Sequence, residues 1–216
     1  MIDSHTALSA TAWTALILSF IGYRLIDPHN RLPSRLTSAD LPIKSLPPKP
    51  ILQIELGRTE QGLEQILNPP GTSPDSLLSN LQHARRGNTL DTFLFIPSYT
   101  IFLMSLGILL ARASASKLIL LAALIAVPMA ALCDWTENAG ISATLNHFEA
   151  DHRPHQGDAV RIADPSTVKW TLLALTLIIY GIDAVLTRQP HWIAIGVLCT
   201  PVGLLIGYTL AKYFWS

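Results

Sequence analysis

Two acidic residues and an amide lie close together near one end of a long apolar run. The segment 118–145 is free of charged residues except for Asp134 and Glu137, and Asn138 follows them directly. A charged side chain at membrane depth is costly, so such residues normally face a partner, a water pocket or a reaction. Two neighbouring carboxyls can also hold and deliver a proton, which is the chemistry of general acid and base catalysis. Asp134 and Glu137 are therefore the candidate catalytic residues.

Other polar residues are expected to converge on this pair. Offsets of three and four residues place the two acids and the amide on one face of a helix. Consecutive spans run in opposite directions, so Asp91 at the start of the second span and Lys169 at the start of the fourth should lie level with that face. Tyr99 lies about two helical turns deeper than Asp91 and could form the floor of a pocket. The candidate substrate-binding residues are Asp91, Tyr99, Asn138 and Lys169.

The composition indicates a membrane protein. Half of the residues are apolar, 14% are charged and the formal net charge is zero. The apolar residues also fall in long runs, as transmembrane helices require. No basic stripe with interleaved aromatic residues occurs, which excludes a nucleic-acid surface. Cys133 and Cys199 both lie in apolar runs and indicate neither a disulfide framework nor a metal-binding pair.

Five runs can reach the roughly 20 residues that cross a bilayer. The runs that do so without a charge are 6–23, 92–111 and 192–211. Two shorter runs, 118–133 and 170–182, reach that length only by including neighbouring charges such as Asp134 and Lys169. The sequence therefore predicts an all-α polytopic membrane protein with five transmembrane helices, and length itself brings the candidate residues into the membrane.

The spans divide the chain into three parts. Residues 1–25 hold the first transmembrane helix, and residues 91–216 hold a four-helix transmembrane bundle. Residues 26–90 begin as a proline-rich strap and continue as short amphipathic helices, which we expect at the membrane surface or against the bundle. Thr59 is the predicted N-cap of one such helix. Ser73, with Pro74 after it, is the predicted N-cap of a second helix that continues into the second span.

Four motifs together resemble a known pattern. They are QIELGRT at 53–59, Leu90-Asp91 followed by Phe93, Phe95 and Tyr99, Asp134-x-x-Glu137-Asn138, and Lys169. The pattern resembles that of small uncharacterised bacterial multi-pass membrane proteins, which carry an E-L-A-R-T-like run, L-D-x-x-F and D-x-x-E-N. Gly57 stands where those proteins more often have alanine. The resemblance implies a multi-pass protein, for which we expect a bacterial inner membrane, and it brings no activity with it.

The segment 141–166 is rich in side chains that bind metals. It contains His147, Glu149, Asp151, His152, His155 and Asp158. Their spacing matches no standard zinc site, so we expect a solvated polar loop and predict no metal and no cofactor. The H-E-x-x-H, G-x-S-x-G, P-loop and dinucleotide-binding motifs are all absent from the sequence, so soluble-type hydrolases, kinases and dehydrogenases have no support.

Two features lie away from the acidic pair. Small residues recur at Gly203, Gly207 and Ala211 in the fifth span, which favours close packing against the first or fourth span over a dimer interface. Asp183 lies at the opposite end of the fourth span from Lys169, and the pattern predicts a local ion pair with a basic residue after the helix, such as Arg188 or His191.

Lysine and arginine near the span ends predict the orientation. Those at the end with Asp134 are Arg24, Arg31, Arg35, Arg85, Arg86, Arg153, Arg161, Lys169 and Lys212, and those at the other end are Arg112, Lys117 and Arg188. The larger set should be cytoplasmic, which places the N-terminus outside.

Three functions remain open. The first is an accessory or structural membrane protein, whose polar cluster fixes the bundle or a contact with a membrane-protein partner. The second is a small intramembrane enzyme that uses Asp134 or Glu137 as general acid or base on a lipid or isoprenoid, with Asn138 and Lys169 orienting that ligand. The third is a proton-linked carrier, which lacks the inverted repeat typical of such proteins.

Overall fold

The computed structural model describes residues 4–27, 54–55 and 58–214, and these residues form helices and no strands. The helices are α1 (Ser4–Ile26), α2 (Glu60–Leu67), α3 (Pro74–Ser114), α4 (Lys117–Asp151), α5 (Asp158–Leu186) and α6 (Pro190–Phe214). All but α2 are long and apolar enough to cross a membrane. The predicted all-α fold with five membrane-spanning helices is therefore confirmed.

Side-chain caps start the helices of the first connecting segment. The Thr59 hydroxyl accepts a hydrogen bond from the Gly62 amide at 3.2 Å, and the Ser73 hydroxyl accepts one from the Ser76 amide at 3.2 Å. Both caps satisfy backbone N–H groups that have no partner inside the helix. From Pro74 the helix runs to Ser114 without a break, so the predicted continuation into the second span is confirmed.

Prolines explain two wide turns inside the long helices. A π-helical turn at Asp91–Phe95 precedes Pro97, and a second at Ala122–Ala126 precedes Pro128 at the same spacing. A proline in a helix lacks an N–H group and its ring clashes with the carbonyl four residues earlier. A wider turn before the proline relieves that clash, and the first such turn contains Asp91.

The first π-helical turn also exposes a carbonyl that a neighbouring helix uses. The Ile96 amide donates to the Asp91 carbonyl, and residue 97 is a proline without an N–H group. The Thr92 carbonyl is thus left without its helical donor. The Trp135 indole N–H of α4 donates to it at 3.2 Å, which joins α3 and α4 beside the candidate site.

Glycines allow α5 and α6 to approach closely. A Cβ atom on Gly203 would lie 2.8 Å from the Ile178 side chain and 2.9 Å from the Ala174 carbonyl oxygen. A Cβ atom on Gly196 would lie 2.6 Å from the Val185 side chain. The predicted packing of the fifth span against the fourth is therefore confirmed for Gly203, whereas Gly207 has nothing within 4 Å.

A hydrophobic core lies outside the apolar runs, where α3, α4 and α5 extend past them. We call the part of the protein around this core the outer lobe. It consists of Ile54, α2, the Pro74–Leu90 part of α3, the end of α4 and the start of α5. Its buried residues are Ile54, Leu63, Ile66, Leu67, Leu77, Leu81, Ala84, Ile141, Leu145, Phe148, Ala159 and Ile162. The apolar sides of the predicted amphipathic helices thus pack on protein.

The predicted loop over 141–166 is wrong. Helix α4 continues to Asp151 and α5 begins at Asp158, which leaves a short connection. Ile141, Leu145 and Phe148 recur at helical spacing and carry α4 into the core of the outer lobe. Asp158 is 1% exposed, so it is not solvated as expected.

The histidines of this connection pair with carboxylates. His147 Nδ1 lies 2.8 Å from Asp158 Oδ2, and His155 Nε2 lies 2.7 Å from Asp151 Oδ2. The two imidazole rings stack with their centroids 3.8 Å apart. Among the described residues, no group of three His, Cys, Asp or Glu side chains is arranged to hold a metal ion.

The predicted ion pair of Asp183 is also wrong. Within the described part of the chain Asp183 makes no ion pair, and its Oδ2 atom is buried without a hydrogen-bond partner. Arg188 and His191 are exposed beyond the end of α5, and Arg188 has a left-handed backbone with φ 57°. The two basic side chains are exposed, whereas the Asp183 Oδ2 atom is buried, so the acid and the basic groups do not meet.

Candidate functional site

A single ammonium group joins three carboxylates at the membrane end of the outer lobe. Lys169 Nζ lies 2.7 Å from Glu137 Oε2, 2.9 Å from Asp134 Oδ1 and 3.7 Å from Glu55 Oε2. All four side chains are at most 13% exposed. We call Glu55, Asp134, Glu137 and Lys169 the Lys169 cluster. The structure thus brings together both candidate catalytic residues and the lysine that the sequence placed beside them.

Close approach of α4 and α5 positions this cluster. Gly140 follows the two acids on α4, and a Cβ atom there would lie 3.2 Å from the Arg161 carbonyl oxygen of α5. A glycine inside a helix costs about 1 kcal/mol relative to alanine. Here the missing side chain lets the backbones of the two helices approach, so that Lys169 reaches the carboxylates within ion-pair distance.

Tyr99 extends the cluster to α3. Its hydroxyl donates a hydrogen bond of 2.9 Å to Asp134 Oδ2, while Lys169 occupies Oδ1. Both oxygens of Asp134 therefore have a partner. The Tyr99 ring packs against Phe95 with the centroids 5.4 Å apart. Tyr99 lies next to the acid, where the sequence placed the floor of a pocket.

Asn138 belongs to an adjoining set of polar residues. Its amide donates to Asp91 Oδ2 at 2.7 Å and to the Thr92 hydroxyl at 3.0 Å. The Asn88 amide in turn donates to the Asn138 carbonyl at 2.9 Å and to the Ser142 hydroxyl at 2.9 Å. The four candidate substrate-binding residues thus divide into two pairs. Tyr99 and Lys169 contact Asp134, whereas Asn138 and Asp91 bind each other across α3 and α4.

The sequence does not predict two residues of the site, Glu55 and Trp170. Glu55 Oε2 accepts a hydrogen bond of 3.1 Å from the Trp170 indole, in addition to its contact with Lys169. Burial raises the pKa of the Glu55 carboxyl, although the Lys169 charge opposes that shift. The sequence signal for Glu55 is its place in the QIELGRT run, which belongs to the same pattern of motifs as Asp134, Glu137 and Lys169.

The segment around Glu55 is fastened along the first half of α5. Arg58 forms an ion pair of 3.2 Å with Asp164, and the Gly157 amide donates to Glu60 Oε1 at 2.8 Å. Residues 55, 58 and 60 therefore meet positions 170, 164 and 157 in reverse order. The segment runs antiparallel to α5, from the membrane end of the outer lobe towards its far side.

The cluster holds more acids than bases. Among the described residues, the ion pairs of its three carboxylates all go to Lys169, and Arg24 near the end of α1 is exposed and takes no part in them. Glu137 Oε2 contacts the ammonium but lies outside hydrogen-bond geometry. Such an arrangement can fix helices through charge, and it can also hold a proton among its acids.

The contacts of the site join residues of α3, α4 and α5 and the segment before α2. No family model matches the chain, and no curated protein and no solved structure is significantly similar to it.

Proposed function

We propose that this chain is an accessory or structural membrane protein in which the Lys169 cluster fixes the bundle. One observation carries the proposal: a buried ammonium contacts carboxylates from α4 and from the segment before α2. Through Asp134 the same cluster reaches Tyr99 of α3. The contacts thus join the outer lobe to three of the membrane-spanning helices, which suits a protein that presents a fixed surface to a membrane-protein partner.

The energetics of buried ion pairs agree with a role of the cluster in fixing how the helices are arranged. Replacing a complete buried ion pair by apolar residues is often neutral, so such a pair is weak evidence for stability alone. Removing one partner, however, leaves a buried charge and costs about 3–5 kcal/mol. Interhelical hydrogen bonds in membranes contribute only about 0.6 kcal/mol on average. The cluster therefore acts mainly by penalising every arrangement that separates Lys169 from its acids.

The membrane and orientation belong to the same proposal. We place the chain in a bacterial inner membrane, with the outer lobe in the cytoplasm. Support comes from the resemblance of its motifs to bacterial multi-pass proteins and from the excess of arginine and lysine at that end. Cysteine labelling with a membrane-impermeant reagent, at Ser76 in the outer lobe and at Ser116 between α3 and α4, tests the orientation.

Neutralising substitutions test the structural role. Lys169→Met leaves three carboxylates without their cation and should lower the thermal unfolding temperature of the protein in detergent. Adding Asp134→Asn and Glu137→Gln removes two of those charges and should restore much of the loss. If Lys169→Met unfolds at the wild-type temperature, the cluster does not fix the bundle and the proposal fails.

A second candidate is a small intramembrane enzyme that acts on a lipid or isoprenoid. The specific observation in its favour is that, among the described residues, three carboxyls share one ammonium, so their charge balance calls for a proton or a further cationic group. Asp134 or Glu137 would then exchange that proton with the substrate, while Tyr99, Lys169 and the neighbouring Asn138–Asp91 pair position it. Lipid mass spectrometry after incubation in native lipid tests this, with Glu137→Gln as the inactive control.

A further inference from the structure

A shallow cleft lies on the outer side of α3, just before that helix enters the membrane. Its volume is about 530 Å³, and its lining residues are Gln82, Arg85, Arg86, Thr89 and Leu90. The first four of these recur at intervals of three, four and seven residues, so they occupy one face of the helix. The cleft is separate from the Lys169 cluster, because none of its lining residues belongs to that cluster.

The lower part of the cleft lies at the depth of the headgroup layer of a bilayer. The charge-free run of α3 begins at Thr92. At 1.5 Å per residue, Arg86 lies about 9 Å before that point and Thr89 about 4.5 Å before it. The polar headgroups add about 5–8 Å to each side of the hydrocarbon core. The Thr89 backbone therefore lies near the headgroups, and the Arg86 backbone lies just outside them, where its long side chain can reach the lipid phosphates. Leu90 lies at the lower end of the cleft next to the acyl chains.

The cleft carries more positive than negative charge. Arg85 forms an ion pair of 2.7 Å with Glu149 and donates to the Asn146 side chain at 3.1 Å. Arg86 is exposed, and within the described ranges it makes no ion pair. Within the same ranges Glu149 thus pairs with Arg85 alone, which leaves Arg86 available to an anion from the bilayer.

We propose that this cleft binds the headgroup of an anionic phospholipid. Arg86 holds the phosphate, because a guanidinium presents paired N–H donors that match phosphate oxygens. Arg85 adds a second positive charge that Glu149 partly offsets. A zwitterionic headgroup brings its own cation to the two arginines, so the cleft favours phosphatidylglycerol over phosphatidylcholine.

Native mass spectrometry of the full chain in detergent tests this proposal. Dioleoylphosphatidylglycerol and dioleoylphosphatidylcholine are added in separate titrations, and the lipid-bound fraction is measured. Arg86→Gln should weaken phosphatidylglycerol binding about fivefold and leave phosphatidylcholine binding unchanged. Arg112→Gln is the matched control, because Arg112 is an exposed arginine at the opposite end of the same helix.

A second variant of the same site should strengthen phosphatidylglycerol binding. Glu149→Gln removes the carboxylate that occupies Arg85, so phosphatidylglycerol binding should become tighter than in the wild type. This result does not depend on loss of folding, because a damaged protein would bind less lipid. Equal binding of the two lipids to the wild type, or equal effects of Arg86→Gln and Arg112→Gln, would overturn the proposal.

Discussion

Lys169 Nζ lies 2.9 Å from Asp134 Oδ1, and this contact joins α5 to α4 where both helices reach the end of their apolar runs. The other Asp134 oxygen accepts the Tyr99 hydroxyl of α3. One carboxylate thus connects three membrane-spanning helices. In a low-dielectric environment, removing either Lys169 or Tyr99 is costly, because it leaves one oxygen of Asp134 without a partner.

The Tyr99 hydrogen bond should contribute less to the unfolding free energy than the Lys169 ion pairs do. Tyr99→Phe removes one hydrogen bond and keeps the ring packing against Phe95, so we expect a loss of about 0.6 kcal/mol in unfolding free energy. Lys169→Met should cost several times more, because it leaves buried charge. Unfolding of both variants in a detergent–denaturant series checks the order. Equal losses would mean that Asp134 is held by hydrogen bonding and not by charge.

The π-helical turn before Pro97 predicts that Pro97 of α3 and Trp135 of α4 are energetically coupled. Trp135→Phe removes the donor to the Thr92 carbonyl and should cost about 1 kcal/mol. In a Pro97→Ala background the amide of residue 97 becomes available to that carbonyl, so the same Trp135 substitution should cost less. A double-mutant cycle on unfolding free energy measures the difference. Strict additivity of the two substitutions would show that the indole is not satisfying a carbonyl left free by the proline.

Gly107 should not tolerate a side chain. A Cβ atom on Gly107 would overlap the Tyr180 hydroxyl, which donates to the Leu103 carbonyl at 3.2 Å inside a fully buried core. Gly107→Ala therefore should lower the unfolding temperature, by steric overlap costing about 1–3 kcal/mol. Gly207→Ala is the control, since that glycine has nothing within 4 Å and should be neutral or slightly stabilising. Matching effects at the two glycines would contradict the packing of α3 against α5.

Glu55 should make the stability of the folded protein depend on pH. Burial raises its pKa in the folded state, so the folded protein holds the proton more firmly than the unfolded chain does. The stabilisation from protonated Glu55 is complete below the unfolded value of about 4.3 and is lost as pH rises through the raised folded value. Glu55→Gln keeps an acceptor for Trp170 and removes the titration.

Thermal unfolding of wild type and Glu55→Gln between pH 4 and pH 8 checks this expectation. The wild type should lose stability relative to the variant as pH rises, and the two curves should meet at acidic pH. Parallel curves across the range would show that Glu55 ionises in the folded state as it does in the unfolded chain.

Sequence reasoning found the spans and the acidic face for a simple reason. Charge-free runs report directly on which residues can face lipid, and the offsets of Asp134, Glu137 and Asn138 fix a helix face by local geometry. Both kinds of information are contained in short stretches of chain. The same reasoning placed Lys169 level with the acids, because antiparallel helices bring the end of one span to the start of the next.

Contacts between distant segments could not be found in this way. Glu55 meets Lys169 across more than a hundred residues, and no local pattern records such a pairing. The helical extension to Asp151 was missed because span length reports only on the part of a helix that crosses lipid. Asn138 lies on the predicted face with the two acids, but the offsets do not tell which neighbour its amide binds, and in the structure it donates to Asp91 in the π-helical turn of α3.

The most direct test is a high-resolution structure of the protein in native lipid, with attention to the space among Glu55, Asp134, Glu137 and Lys169. We predict that Lys169 Nζ contacts all three carboxylates within 4 Å and that no lipid or other non-protein density lies among them. Density of a lipid headgroup between Lys169 and the two acids of α4 would contradict a structural cluster and indicate a site for a substrate.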